Sequence, residues 1–321
     1  MTFIASVKAR NGVALIADSL VTTTKQIIEA NDYINLVSRK AKESKGGEAI
    51  VLSPQEISTL FKRVPAFTKD YEDKLFEMDK YTAISTAGSA EINGKRISQI
   101  ISEFKASYAK DKSYIRKGIK SRVNMFGAFV ESEAKKHIKK YKTIDNTDFV
   151  ITHYDRKKCI TRIFKMYVLQ SSKESLKDSK YKVIEIRDAF EIETVVCDGQ
   201  NRLTEGLLYG DFLTINMVIK NVLAKVAQDF NIPIDDTYKE KMLENKDLIP
   251  WGVREFLLAK LTNLSLQQAV DLANLLMHIE LDIQKYTKEI PTVGGVIKLA
   301  IIDEDGFRFI AGNEIKVPNS L

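Results

Sequence analysis

Thr2 follows Met1, and removal of Met1 would put a hydroxyl and a free α-amine on one residue. A threonine hydroxyl is a weak nucleophile that needs a base. A terminal α-amine has a reference pKa of about 8, so much of it is neutral at working pH and can take the hydroxyl proton. The chemistry this offers is acyl transfer through the Thr2 hydroxyl. Residues 2–8 alternate Phe3, Ala5 and Val7 against Ile4, Ser6 and Lys8, which suits a strand. Asn11-Gly12 is a hairpin turn signal, and the apolar run 13–18 reads as a second, doubly buried strand ending in Asp18. Thr2 and Asp18 are thereby expected on adjacent strands.

Other chemistries find less support. His137, His153 and His278 share no ligand spacing, so neither a metal site nor a cofactor is expected. Cys159 and Cys197 give no disulfide framework, which makes a reducing cytoplasm the expected location. No run approaches the length of a membrane span, and Lys8, Arg10 and Asp18 interrupt any signal-like start. The net charge is +6, and the stretch from Lys105 to Lys158 holds 15 Lys/Arg against 6 Asp/Glu. Without interleaved aromatic residues this band reads as the solvated face of two helices, and nucleic acid is an unlikely partner on this reading.

The elements that must position Thr2 follow in order. The chain has 321 residues, is 44% hydrophobic and carries no long linker, so one domain with a substantial core is expected. Helical spacing covers Gln26 to Lys42, a short strand is expected at Ala49–Leu52, and Ser53-Pro54 starts a helix. A hairpin is expected over 74–78 and 81–86, running through Ala87-Gly88-Ser89-Ala90 into a helix to about Tyr108. A second helix covers roughly Tyr114 to Lys142, with Ile119, Val123, Phe126, Phe129 and Val130 as its buried stripe. Strands are expected at 149–153, 160–169, 181–186 and 192–197, with a polar loop at 171–180. Helices broken at Asn231-Ile232-Pro233 and Ile249-Pro250-Trp251-Gly252 follow, then a helix from Leu264 to about Tyr286, then strands over 293–300 and 307–311. Two antiparallel sheets between helical layers would satisfy this order.

With these elements placed, the chain resembles the proteasome β-subunit superfamily, including the bacterial HslV and Anbu peptidases. Thr2 and Asp18-Ser19 match that family's terminal Thr and the Asp-Ser pair closing its second strand, sixteen positions apart. Lys74-Leu75-Phe76-Glu77-Met78 and Thr86-Ala87-Gly88-Ser89-Ala90 match its Lys-headed strand and its Ala-Gly turn, with Gly88 fourteen positions after Lys74. Leu266–Val270 and Thr292–Ile297 resemble its fourth helix and the following Gly-Gly strand. The resemblance implies an α+β fold, a four-layer αββα sandwich of two antiparallel sheets between helical layers, as in N-terminal nucleophile hydrolases. On this pattern residues 1–321 form one proteasome-like domain with insertions at about 23–67 and 203–262.

The resemblance also implies roles. Thr2 is the nucleophile, Lys74 lowers the pKa of its amine, Asp18 holds Lys74 charged and oriented, and the Gly88 N–H donates to an oxyanion. Thr22 would contact a bound peptide, and Thr86 and Ala90 would line a modest, uncharged pocket. Two positions depart from the family. Cys197-Asp198-Gly199 stands in place of a Gly-Ser-Gly turn, and the neighbourhood of Ile290 lacks an Asp. Asp198 is a candidate replacement for the missing Ser as partner of the amine; otherwise it caps the next helix. The function implied is a threonine peptidase acting on peptides or unfolded protein, in a homo-oligomeric ring, with an ATPase unfoldase as a further partner. An amidase or transpeptidase using the same site, and an inactive scaffold subunit, are the alternatives.

Overall fold

A computed structural model describes residues 2–43, 50–69, 72–108, 112–178, 181–189, 194–209, 212–232, 235, 238, 261, 263–287 and 291–313. The chain opens with β1 (Phe3–Ala9) and β2 (Gly12–Ala17), an antiparallel pair with Ile4 opposite Ala17 and Ala9 opposite Gly12. Both strands are buried on both faces over most of their length, as the apolar run predicts.

The first expected insertion has a structure of its own. Strand β3 (Val21–Ile27) and strand β4 (Lys62–Lys69) pair with each other, and helices α1 (Ala30–Glu43) and α2 (Pro54–Ser58) lie between them in the chain. The helix expected from Gln26 starts later, because the β-branched run Val21-Thr22-Thr23-Thr24 favours a strand and finds a partner in β4. The strand expected at Ala49–Leu52 does not form over residues 50–52, and Ala49 lies outside the described residues. Ser53 caps α2 as expected: its Oγ accepts the Glu56 N–H at 3.2 Å and Glu56 accepts the Ser53 N–H at 3.0 Å.

The next hairpin is β5 (Leu75–Asp79) and β6 (Thr82–Gly88). The chain does not pass straight from Gly88 into a helix. A small hairpin intervenes, β7 (Glu91–Ile92) and β8 (Lys95–Arg96), and helix α3 begins at Ile97 and ends at Tyr108. Its two-residue turn, Asn93-Gly94, has positive φ at both residues (59° and 73°), the geometry that Asn-Gly supplies. The single helix expected from Tyr114 is two, α4 (Lys112–Arg116) and α5 (Ile119–Tyr141), separated at Gly118, whose extended backbone starts α5.

Strands β9 (Thr143–Ile144), β10 (Thr147–Asp155), β11 (Ile160–Val168), β12 (Ser171–Ser172), β13 (Ile184–Asp188) and β14 (Val195–Gly199) follow. The polar loop expected at 171–180 thus begins with β12, which pairs with β9. Helices α6 (Arg202–Tyr209) and α7 (Phe212–Asp229) open the second expected insertion, of which Ile249–Gly252 lies outside the described residues. Helix α8 (Leu266–Gln284) starts from Ser265, whose hydroxyl and the Gln268 side chain form a capping box. The chain closes with β15 (Lys298–Asp303) and β16 (Gly306–Ala311). The strand expected from Val293 begins only at Lys298, because the segment before it is held as a loop.

The fold is α+β with two five-stranded antiparallel sheets, ordered β14-β1-β2-β15-β16 and β13-β11-β10-β6-β5. Alternation of side chains across each strand divides the core into three. Ile4, Val13, Leu15 and Ala300 of the first sheet meet Leu75, Ala83, Val150 and Ile163 of the second. The other face of the first sheet, with Phe3, Ala5, Val7 and Ile16, packs on Ala269, Ala273, Leu276 and Met277 of α8. The other face of the second sheet, with Ile84, Phe149, Phe164 and Met166, packs on α3 and α5. Phe126 links those layers, edge-on to Phe104 at 5.1 Å and to Phe149 at 5.6 Å between ring centroids. Among the described residues no helix is long and apolar enough to cross a membrane.

Candidate active site

Thr2 stands just before β1 and is 3% exposed. Its backbone is gripped from both neighbouring strands. On one side the Gln200 N–H donates to Thr2 O at 2.5 Å. Gly199, at φ 84°, approaches so closely that a Cβ there would sit 2.0 Å from that same oxygen, so only glycine fits. On the other side Asp18 Oδ1 accepts the N–H of Phe3 at 3.0 Å.

Asp18 lies just past the end of β2 and is 1% exposed. Its Oδ1 also accepts Lys74 Nζ at 3.0 Å, and its Oδ2 accepts the N–H groups of Leu20 at 3.2 Å and Gly294 at 3.1 Å. Burial pushes the Asp18 carboxyl above its ordinary value, against the pull of Lys74 and of the Phe3 and Gly294 amides. Burial likewise lowers the Lys74 ammonium, against the pull of Asp18. All four groups around the carboxylate are donors, which suits the ionised form and leaves no acceptor for a carboxyl proton. Lys74 spends a second N–H on Leu20 O at 2.5 Å. Its third remains for the cavity that it lines together with Thr2.

That cavity, of about 290 Å³, gathers most of the expected residues: Thr2, Thr22, Lys74, Thr86, Gly88 and Ala90 line it. Val21, Thr22 and Thr23 of β3 form one side, and Gly88 to Ala90, after β6, form another. Gly88 closes β6 opposite Thr147, at φ 97°, where a Cβ would lie 2.6 Å from Asn146 O. Strand alternation orients its amide. The Thr86 N–H donates across to Lys74 O at 2.9 Å, and the Ser89 N–H donates the other way to Asn146 O at 3.3 Å. The Gly88 N–H therefore faces the same side as that of Thr86, beyond the start of β5 at Leu75. The Thr86 hydroxyl is buried and has no hydrogen-bond partner among the described residues, so a polar atom in the cavity would satisfy it.

Two expectations change. The cavity wall is not uncharged: Glu72 and Asp73 line it, with Glu72 2.9 Å from Arg96 and Asp73 2.6 Å from Lys298. Asp198 does not line the cavity. It pairs with Ile4 across β14 and β1, accepts the Gly199 N–H at 2.8 Å, and lies 3.7 Å from Lys165 Nζ. Its side chain thus meets the turn after β14 and Lys165 of the second sheet. The position near Ile290 lies outside the described residues, as does Met1.

The structure adds residues that the spacing did not mark. Gln284, at the end of α8, accepts the N–H groups of Thr292 at 2.5 Å and Val293 at 3.1 Å. It thereby holds the loop whose next residue, Gly294, donates to Asp18 and accepts the N–H groups of Ser19 and Leu20 at 3.1 and 2.9 Å. The Thr292 hydroxyl donates to the Gln200 side chain, tying that loop to the turn that holds Thr2. The tandem Gly294-Gly295 is a signal for a close-approaching loop; Gln284 carries no local signal. Among the described residues no group of three or more His, Cys, Asp or Glu is placed to hold a metal ion. No protein-family model matches the chain, and no curated protein matches its sequence.

Proposed function

We propose that this chain is a threonine peptidase of the proteasome β-subunit type, and that its two packed sheets with outer helices are the four-layer αββα sandwich of N-terminal nucleophile hydrolases. The observation that carries the reading is the buried Asp18–Lys74 pair beneath a cavity that Thr2 and Gly88 also line. With Met1 removed, the Thr2 amine takes the hydroxyl proton as Oγ1 attacks a peptide carbonyl. Lys74 adds positive charge that keeps the amine in its basic form, and Asp18 keeps Lys74 charged and oriented. The Gly88 N–H donates to the oxyanion, an interaction worth roughly 3–4 kcal/mol in other hydrolases. The amine returns the proton to the leaving nitrogen, an ester on Thr2 remains, and water attacking it releases the second product. The peptide lies extended between β3 at Thr22 and the segment after Gly88, as an added strand, with Thr86 and Ala90 at the side chain before the scissile bond. Assembly into a homo-oligomeric ring served by an ATPase unfoldase belongs to the same proposal, as does a cytoplasmic location.

A second reading, an amidase or transpeptidase acting on one specific peptide, is favoured by Asp198, which accepts the Gly199 N–H and faces Lys165 instead of lining the cavity. A peptide library digested by the wild type and by Thr2→Ala tests both. Cleavage at many sites, lost by at least a thousandfold in Thr2→Ala, supports the peptidase. Cleavage at one motif, or ligated products, supports the second reading. Identical digests from both proteins would sink the nucleophile assignment.

A further inference from the structure

The cavity beside Thr2 has a volume of about 290 Å³. That is just under the ~300 Å³ at which small-molecule sites begin, so it suits a single side chain. Only three of the described side chains that line it are charged: Glu72, Asp73 and Lys74. Lys74 is balanced by Asp18 at 3.0 Å, so the charge left in the wall is negative. Both carboxylates face cations that stand outside the lining, Glu72 with Arg96 at 2.9 Å and Asp73 with Lys298 at 2.6 Å. The Arg96 side chain is largely exposed, so water and salt screen its hold on Glu72. Asp73 is exposed, whereas Glu72 is half-buried and is the better placed of the two to act on an enclosed ligand. Its backbone is fixed, since the Glu72 N–H donates to Ser19 O at 2.9 Å and ties the chain before β5 to the chain after β2.

Thr86 points to a ligand independently. Alternation along β6 puts it on the same face as Ile84, which packs toward α3, and Ile97 and Ser98 of α3 line the cavity with it. Thr86 is 5% exposed, and its hydroxyl has no hydrogen-bond partner among the described residues. An apolar side chain in the cavity would leave that hydroxyl unsatisfied, at the cost of a buried polar group without a partner. A carboxylate would satisfy it but would meet Glu72 and Asp73. A side chain that ends in charged N–H donors satisfies the hydroxyl and both carboxylates.

We propose that this cavity selects a cationic side chain, arginine or lysine, at the residue before the scissile bond, with Glu72 as the selecting charge and the Thr86 hydroxyl as a hydrogen-bond acceptor. The inference rests on the reading of Thr2 as the nucleophile of a peptidase. A carboxylate accepts more than one donor, so the substrate cation joins Arg96 at Glu72 and does not have to displace it. Arginine fits better than lysine, because its planar fork can donate to Glu72 and Thr86 at once.

The test is cleavage of peptide aminomethylcoumarin amides that differ only in the residue at the bond, Arg, Gln, Leu or Glu. The enzymes are the wild type, Glu72→Gln, Glu72→Lys, Thr86→Val and Thr2→Ala. In the wild type, kcat/KM should be roughly tenfold or more higher for Arg than for Leu or Gln, with Glu the poorest. The Arg:Leu ratio should fall about tenfold in Glu72→Gln, and the order of Arg and Glu should reverse in Glu72→Lys. Thr86→Val keeps the shape and removes the unpartnered hydroxyl, so it should fold and should also lower the Arg:Leu ratio. Added salt should lower that ratio in the wild type. Each ratio is taken on one protein sample, so a loss of folded enzyme cancels. Cleavage that depends on Thr2 but is as fast for Leu, Gln or Glu as for Arg would overturn the inference and leave the nucleophile reading standing. The same holds for an Arg:Glu ratio unchanged in Glu72→Lys. No cleavage of any amide by the wild type, or equal cleavage by Thr2→Ala, would overturn the nucleophile reading and the inference with it.

Discussion

Asp18 shows how much of the site depends on single atoms. One carboxylate holds the amide after Thr2, the Lys74 ammonium, and the amides of Leu20 and Gly294. Removing the cation alone leaves a buried charge unpaired, which costs about 3–5 kcal/mol. Lys74→Met should therefore lower stability by that amount in urea unfolding. Combining it with Asp18→Asn should cost less than the sum of the two single changes, because the double variant buries no unpaired charge. Gly88 and Gly199 are required on steric grounds whatever the function, since a Cβ at either would overlap backbone oxygen. At this scale Thr2, Asp18, Lys74 and Gly88 came forward through the family resemblance, and each stands at or beside the end of a strand. Asp148 did not, because a lone Asp in a strand acquires its meaning only from Asp198, on a strand of the other sheet.

Elements place these residues, and the loop before β15 does so less visibly than the strands. A strand was expected from Val293, yet the side chain of Gln284 captures the amides of Thr292 and Val293 at its start. Gln284→Ala leaves both buried donors without a partner, at about 1–3 kcal/mol each. The variant should lose on the order of 2–4 kcal/mol in chemical unfolding. It should also lose turnover, since the adjoining Gly294 amide supports Asp18. The pairing of β1 with β2 was readable from the apolar runs, but Asn11-Gly12 misplaces the turn: Ala9 pairs with Gly12, so the turn is Arg10-Asn11 and Gly12 already belongs to β2. The β7–β8 hairpin was missed although Asn93-Gly94 announces it, because the residues around it have helical spacing and its strands are two residues long. The start of α1 was misplaced because the pairing of β3 with β4, across 34 intervening residues, overrides local periodicity.

Across the whole molecule, the two sheets meet through an apolar core, and their packing brings the half-buried Asp148 of one sheet under the influence of the Asp198 charge on the other. Burial, then the Asp198 charge, raise the Asp148 carboxyl and give stability a pH dependence of definite sign. Asp148 is held at about 7 in the folded chain, against an ordinary value of 3.8. Folding therefore takes up a proton between those values, and stability is lost as pH rises through them. Asp148→Asn removes this dependence, so its melting temperature relative to wild type should be a few degrees higher at pH 8 than at pH 4. A difference independent of pH would contradict the assignment. The α+β class with two antiparallel sheets was legible because runs of helix and strand alternate in blocks. The shape of the first insertion was not, because its two strands are separated by helices in the sequence and recognised only by pairing. The central claim is that Thr2 becomes a terminal nucleophile, and intact-mass measurement after incubation with a peptide epoxyketone tests it most directly. The expected result is loss of Met1 and one inhibitor adduct, mapped to Thr2 and absent from Thr2→Ala. Quantitative retention of Met1, with no adduct, would contradict it.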